Sequence, residues 1–262
     1  MVCGGTGKIA ERDAQDHQCF FSMEFFMAWS EVLNSWVEDI YGTKFDVRDG
    51  QVAPDTDSVK LKDGAVKVDA TFLYADLAGS SKLAQICPWT TTAKIIRSYL
   101  HCAVKLVRVW GGEIRSFDGD RVMGVFMGDM KNTHASYCAR ELDWTVTNVI
   151  NPKATGHFKS ISDNSIKIRH CIGLDTGESR AVRAGIRDNN DLIWIGKPPS
   201  FAAKLSDVRD YPNEVYISSR VHSRLADEAK KSSSGESIWT ATKFTFAGTE
   251  ETVYCTKVPR KP

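Results

Sequence analysis

The chain has 262 residues, of which 42% are hydrophobic and 26% charged, and its formal net charge is +1. This length suits one large domain, or one medium domain with extensions, and the composition is that of a globular protein. The near-neutral charge gives no reason to expect a nucleic acid or a membrane surface as partner. No apolar run is long enough for a membrane span, and the N-terminus does not resemble a signal peptide.

The seven cysteines are scattered along the chain and form no CxxC pair. Their odd number and irregular spacing argue against a disulfide framework and against a zinc site. Reduced thiols are the simplest interpretation, and they predict a cytoplasmic protein.

Three regions follow one another along the chain. Residues 1–22 show no periodicity, and we expect them to be disordered. Residues 23–64 are predicted to form an N-terminal helix, over 23–40, and a polar connector. The remaining residues, 65–262, are predicted to form the main domain.

The main domain begins with an alternating strand that runs from Ala65 to Asp76. Glycines at 111 and 112 end a long predicted helix, and a tight hairpin at 118–120 joins the next two strands. The predicted helices cover 91–110, 132–150, 200–208 and 219–230, and the predicted strands cover 113–117, 121–126, 166–174, 179–186, 192–195, 215–218, 239–246 and 253–257. This order predicts an α+β fold with helices flanking a mainly antiparallel sheet.

The first strand ends in the segment Tyr74-Ala75-Asp76-Leu77-Ala78-Gly79-Ser80-Ser81. A carboxylate is followed by small residues that open a helix, with Ser80 as its predicted N-cap. Small residues let backbone amides approach phosphate oxygens, and a helix N-terminus attracts anions. The segment therefore predicts a phosphate site beside a carboxylate.

The hairpin Phe117-Asp118-Gly119-Asp120-Arg121 places a second carboxylate between two apolar strands. Mg²⁺ in proteins takes one or two carboxylates plus substrate phosphates, and two ions can clamp the attacking and leaving oxygens of a phosphoryl transfer. Each motif alone is also ordinary cap or turn chemistry. Their joint occurrence is more specific, and we expect Asp76 and Asp120 to converge if the first strand lies beside the hairpin.

Three segments resemble class III nucleotidyl cyclases: YADLAGSSKL at 74–83, GGEIRSFDGDRVMGVF at 111–126 and GKPPSFAAKL at 196–205. The resemblance covers about 68–257 and implies a ferredoxin-like, palm-type core and a homodimer with active sites at the subunit interface. It implies two divalent ions, Mg²⁺ or Mn²⁺, at Asp76, Leu77 and Asp120. The triphosphate of a nucleotide substrate would lie on Ala78, Gly79, Ser80 and Ser81.

Several positions depart from the family pattern. The ribose-orienting Asn of the family falls on Ser200, and its transition-state Arg falls on Lys204, which keeps the charge but loses the planar fork of donors. The purine-reading positions fall on Ser116, beside Arg115, and on Ile193, so the usual adenine and guanine partners are absent.

The combination most resembles the pyrimidine cyclases of bacterial anti-phage defence, the Pycsar system. This implies a cyclic pyrimidine nucleotide made from UTP or CTP, with UTP favoured, and a separate effector protein that reads it. Tyr74, on the strand face of Asp76, and Arg115 are candidate base contacts. We expect Arg115 and Ser116 to face opposite ways.

Other interpretations stay open from the sequence alone. The chain could make cyclic CMP, or be a purine cyclase with a rearranged pocket. It could also be a catalytically silent nucleotide- or partner-binding module, although such a module is expected to have lost a metal carboxylate. A cyclic-dinucleotide synthase is disfavoured because the GGDEF signature is missing.

Overall fold

The computed structural model describes residues 29–262, which divide between a first unit that ends at Phe45 and a second that begins at Asp46. The predicted disorder of 1–22, and the start of the predicted first helix, lie outside the described residues. Helix α1 spans Trp29–Tyr41 in the first unit. Leu33, Trp36 and Ile40 recur at helical spacing along it, and their side chains are exposed.

The second unit combines one sheet with helices. Its strands are β1 (Asp46–Asp49), β2 (Gly64–Ala78), β3 (Glu113–Asp118), β4 (Arg121–Phe126), β5 (Arg169–Ile186), β6 (Asn189–Ile195), β7 (Val215–Ser218), β8 (Thr240–Phe246) and β9 (Thr249–Thr256). Its α-helices are α2 (Ser80–Ile86), α3 (Trp89–Val109), α4 (Lys131–Thr145), α5 (Asn151–His157), α6 (Lys159–Ser162), α7 (Lys197–Ser206), α8 (Ser219–Ser223) and α9 (Asp227–Lys230).

The strands run in the order β3-β4-β2-β5-β7-β9-β8, with β1 added to β2 and β6 added to β5. The β1–β2 and β5–β7 pairs are parallel, and the other pairs are antiparallel. The predicted α+β architecture with a mainly antiparallel sheet is confirmed. Within residues 29–262, no helix is both long and apolar enough to cross a membrane.

The alternation of β2 sends its side chains to two different cores. Leu73, Ala75 and Leu77 pack with residues of α3 and α4, whereas Phe72 packs in a second cluster that includes Ala202 of α7. Each fully buried large apolar side chain stabilises the fold by about 1.5–3 kcal/mol relative to exposure. Because a slip of one residue would exchange the two faces, this burial fixes the register and keeps Asp76 on the α7 face.

Helix α7 lies directly on β5 at Gly173. A Cβ atom at this glycine would stand 2.1 Å from the Ala202 carbonyl oxygen and 2.6 Å from the Ser206 nitrogen. We expect Gly173→Ala to lower the free energy of unfolding by about 1–3 kcal/mol, because the helix must move off the strand. Thermal unfolding of the two proteins measures this loss.

Gly156→Ala is the matched control, since a Cβ atom there would meet nothing within 4 Å. Gly156 lies in α5, where alanine is the better helix former. The control should therefore be as stable as the wild type or slightly more so. Equal stability of the two variants would contradict the close packing of α7 on β5.

Some predicted elements differ from the observed ones. The strands predicted over 166–174 and 179–186 are one strand, β5, because residues on both sides of Gly177 continue to pair with β2. The helix predicted over 219–230 is divided into α8 and α9, and between them the Ala226 amide donates to Thr133 of α4 instead of continuing a helix. The predicted connector contains β1, whose four residues are all exposed and therefore carry no alternation signal.

Candidate active site

Asp76 lies near the end of β2, opposite Arg121 of β4 and Cys171 of β5. Its side chain is 15% exposed. Burial raises the pKa of the Asp76 carboxyl, and the negative charge of Asp120 raises it further, against the lowering effects of Arg209 and Arg121. The carboxylate is therefore held in a cleft that disfavours uncompensated negative charge.

Asp120 lies in the turn between β3 and β4, directly after Gly119, whose φ of 61° lies in the left-handed region that favours glycine. The pairing of β4 with β2 brings this turn to the end of the strand that carries Asp76. The two carboxylates are close enough for the charge of one to raise the pKa of the other.

The chemistry of this pair fits a divalent cation. Two carboxylates supply hard oxygen ligands, and their mutual repulsion favours a bound cation. Within the described residues, no group of three or more His, Cys, Asp or Glu side chains is placed to hold a metal. Divalent ions such as Mg²⁺ are often held by one or two carboxylates, with substrate phosphates and water as the remaining ligands.

Two arginines compensate the carboxylates, and the sequence patterns identified neither. The Nη2 of Arg209 donates to Asp76 Oδ2. Arg121 pairs with Asp118 at 2.8 Å and with Asp207 at 3.5 Å, and its guanidinium lies 5.7 Å from the centre of the Tyr74 ring. Arg121 could have been found from its place in the hairpin motif, but Arg209 lies in a loop without periodicity.

The small-residue segment after Asp76 opens α2 as predicted, but its cap differs from the prediction. Ser80 is the first residue of the helix, and Gly79 is the N-cap with φ 74° and no side-chain cap bond. Ser80 is therefore not the cap, because a glycine in the left-handed region makes the turn by its backbone alone. The space beside Gly79 is open, since a Cβ atom there would meet nothing within 4 Å.

A cleft of about 300 Å³ adjoins this turn. Leu77, Ala78 and Gly79 form one wall, and the chain before β5 forms another. Lys82 and Lys167 also line it, so two positive charges stand beside the predicted phosphate segment.

The candidate base contacts are arranged differently from the predicted alternation. Ser116 pairs with Met123, which pairs with Tyr74, so these residues share one row of the sheet. The register shifts between Ile114 and Ser116, which makes Arg115 the extra residue of a β-bulge. The strict alternation from which we expected Arg115 and Ser116 to face opposite ways is interrupted by this bulge.

The Arg115 guanidinium is 14% exposed and donates at 2.7 Å to the Ala53 carbonyl of the connector. It anchors the connector to the sheet instead of standing free in the cleft. Burial raises the pKa of Tyr74, which keeps its hydroxyl protonated as a hydrogen-bond donor.

The remaining predicted residues lie on exposed surfaces. Ser200 and Lys204 are exposed on α7, and Lys204 Nζ lies 3.2 Å from Asp207 at the end of the same helix. Ile193 of β6 is 44% exposed, whereas its neighbours Leu192 and Trp194 pack against the cluster that Tyr74 also contacts. The structure thus brings Asp76, Tyr74 and Ser116 to one face of the sheet, with Asp120 in the adjoining turn, but it does not bring Ile193 to them.

Known proteins resemble the chain over most of its length. A uridylate cyclase from Rhodovulum sp. (strain MB263) is 39% identical over 237 residues, covering 90% of this chain and 99% of that protein. Uridylate cyclases from Xanthomonas perforans and Burkholderia cepacia are each 35% identical, covering 81% of this chain and 90% and 91% of those proteins. No family model matches the chain.

Solved structures show the same fold at low sequence identity. A guanylyl cyclase superposes with a TM-score of 0.62 at 16% identity, covering 75% of this chain and 95% of the other. An adenylyl cyclase from P. aeruginosa superposes with a TM-score of 0.59 at 17% identity, covering 73% and 95%. The chain therefore has the class III cyclase fold and belongs to the uridylate cyclase family of nucleotidyl cyclases.

Proposed function

We propose that the protein converts UTP into 3′,5′-cyclic UMP and diphosphate. The proposal is carried by the convergence of Asp76 and Asp120 in a chain whose named relatives, over nearly full length, are uridylate cyclases. In this reaction the ribose 3′-oxygen bonds to the α-phosphorus, and the bond from that phosphorus to the diphosphate oxygen breaks. The proton of the 3′-hydroxyl passes to solvent.

Asp76 and Asp120 would hold two divalent ions, Mg²⁺ or Mn²⁺, with Leu77 as a backbone ligand. Such ions activate the 3′-hydroxyl and neutralise charge on the triphosphate. The half-buried position of Asp76 restricts water around the carboxylates, which strengthens their attraction for cations.

The triphosphate would lie on the turn formed by Ala78, Gly79, Ser80 and Ser81. The open space beside Gly79 leaves room for phosphate oxygens, which would accept hydrogen bonds from the backbone amides of the turn. Lys82 and Lys167, which line the adjoining cleft, add positive charge for the diphosphate that leaves.

The base would lie over the row that contains Tyr74 and Ser116. The protonated Tyr74 hydroxyl and the Ser116 hydroxyl can each donate to a pyrimidine carbonyl, and the Tyr74 ring offers a stacking surface. The side chains that bind purines in other class III cyclases are absent here, and a pyrimidine would not need them to bind at this row. The choice of uracil over cytosine rests on the names of the relatives.

A second copy of the chain would complete the site. Ser200, Lys204 and Ile193 are exposed, so they are available to a nucleotide bound between two copies. In this homodimer, Lys204 would stabilise charge that develops on the phosphoryl oxygens, and Ser200 would orient the ribose. The product would act as a second messenger in anti-phage defence, read by a separate effector protein.

Incubation of the purified protein with UTP and Mn²⁺, followed by mass analysis, tests the reaction type. We expect equimolar cyclic UMP and diphosphate, because ring closure consumes no water. UMP or UDP as the main product would contradict the proposal, since it would indicate hydrolysis. Absence of any product would favour the catalytically silent module.

A further inference from the structure

Arg209 lies in the loop between α7 and β7 and contacts one of the proposed metal ligands. Its Nη2 donates to Asp76 Oδ2, and its Nη1 donates to the carbonyls of Ser206 and Val208 at 2.7 and 2.9 Å. The guanidinium therefore links the end of α7 to the carboxylate of β2.

The two residues of this ion pair differ in exposure and in the backbone element that carries them. The Asp76 side chain is 15% exposed and fixed on a central strand, whereas the Arg209 side chain is 36% exposed on a loop. Of the two groups, the guanidinium is the one that can swing away without disturbing the sheet. Its three bonds use three of the five N–H donors of a guanidinium, and within the described residues the other two have no protein acceptor.

Arg209 and a metal ion compete for the same ligand. A carboxylate oxygen that accepts a charge-assisted hydrogen bond has to give up that bond before it binds a cation in the same direction. The Arg209 guanidinium already supplies, at Asp76 Oδ2, the positive charge that a bound cation would supply. A cation that binds Asp76 therefore releases a guanidinium beside the proposed metal site.

We propose that Arg209 is a triphosphate-binding residue that pairs with Asp76 in the empty site and moves to the nucleotide phosphates when a metal ion takes the carboxylate. The inference rests on the proposed function, because that function places the metal ions and the triphosphate beside Asp76. Arginine suits the role because its planar fork matches two phosphate oxygens. The exchange couples metal binding to nucleotide binding, because the released guanidinium regains a negatively charged partner when it binds the phosphates.

The exchange predicts opposite effects of Arg209→Gln on two affinities. Mn²⁺ binding without nucleotide, followed by electron paramagnetic resonance, should become tighter, because no guanidinium has to be displaced. Binding of 3′-deoxy-UTP with Mn²⁺, followed by calorimetry, should become weaker by about tenfold, the loss of one charge-assisted phosphate contact. This analogue lacks the attacking hydroxyl and cannot be turned over.

Arg180→Gln is the matched control, because Arg180 also pairs with a carboxylate, Glu178 at 2.9 Å, but lies on the exposed surface of β5. It should change neither affinity. Arg209→Lys keeps the charge, so it should bring Mn²⁺ affinity back toward the wild-type value. Thermal unfolding of each variant checks that the fold is retained.

A purely structural Arg209 would give a different result. Weaker binding of both Mn²⁺ and the analogue in Arg209→Gln, or no change in either, would overturn the inference. Failure of Mn²⁺ to bind both the wild type and Arg209→Gln would also overturn it, since removing the competing cation should expose the site. If the Mn²⁺ effect appears but the wild type does not bind 3′-deoxy-UTP, the proposed substrate is wrong while the competition at Asp76 stands.

Discussion

Asp120→Ala should abolish cyclase turnover, lowering kcat by about 10³-fold or more, while the domain stays folded. Asp120 lies in a hairpin turn whose backbone geometry is set by Gly119, so its side chain is not needed for the turn. Its charge, in contrast, is one of the two that would hold the metal ions. Steady-state kinetics with UTP and Mn²⁺, together with thermal unfolding, measures both parts of the expectation.

Asp129→Ala is the control for this change. Asp129 is exposed in the turn after β4, at the opposite end of that strand and roughly 20 Å from Asp120 by the rise of an extended chain. It should leave kcat within about twofold of the wild type, as expected for a surface change away from the site. Near-normal activity of Asp120→Ala would show that the two-metal assignment is wrong.

Lys204→Ala should lower kcat by about 10²-fold, the size of effect seen when one donor to a developing charge is lost. Lys204 is 65% exposed, and its ion pair with Asp207 is a surface pair worth at most about 1 kcal/mol. The ammonium can therefore leave Asp207 for the transition state at little cost. Because the contact forms chiefly in the transition state, KM for UTP should change by less than about threefold.

Two further variants define the role of Lys204. Lys204→Arg keeps the positive charge, so it should retain most of the turnover. Lys243→Ala removes a lysine from a comparable exposed pair, with Glu250 at 3.1 Å, and should leave kcat unchanged. An unaltered kcat in Lys204→Ala would mean that this lysine is an ordinary solvated helix residue.

The features that the sequence predicted well depend on local patterns. The alternation from Ala65 to Asp76 specifies β2 and its two faces, because a strand with two buried faces has one acceptable register. The glycine in the turn at 118–120 specifies the hairpin that carries Asp120. The positions of Asp76 near the end of a strand and of Asp120 in a hairpin turn could therefore be predicted before the fold was known.

The features that the sequence could not predict depend on contacts between distant residues. Arg209 and Asp76 are 133 residues apart, and no pattern around Arg209 marks it as a partner. The bulge at Arg115 depends on how β3 pairs with β4 and on an acceptor in the connector, Ala53. The alternation rule therefore could not predict the interruption of β3 at Arg115, where tertiary contacts determine the backbone.

The continuity of β5 illustrates the same limit. Asp175 and Gly177 are typical turn residues, yet both lie within one strand. The pairing with β2 on both sides of Gly177 overrides the local preference, and Arg220 of α8 neutralises the buried Asp175 carboxylate. Because the two residues of this ion pair are far apart in the sequence, a short segment of sequence cannot predict it.

The most direct test of base selection is a competition among the four nucleoside triphosphates. The purified protein is incubated with equimolar ATP, GTP, CTP and UTP plus Mn²⁺, and the cyclic products are identified and quantified by mass. We predict cyclic UMP as the dominant product. Dominant cyclic AMP or cyclic GMP would contradict the pyrimidine assignment of the row at Tyr74 and Ser116, and dominant cyclic CMP would contradict the choice of uracil.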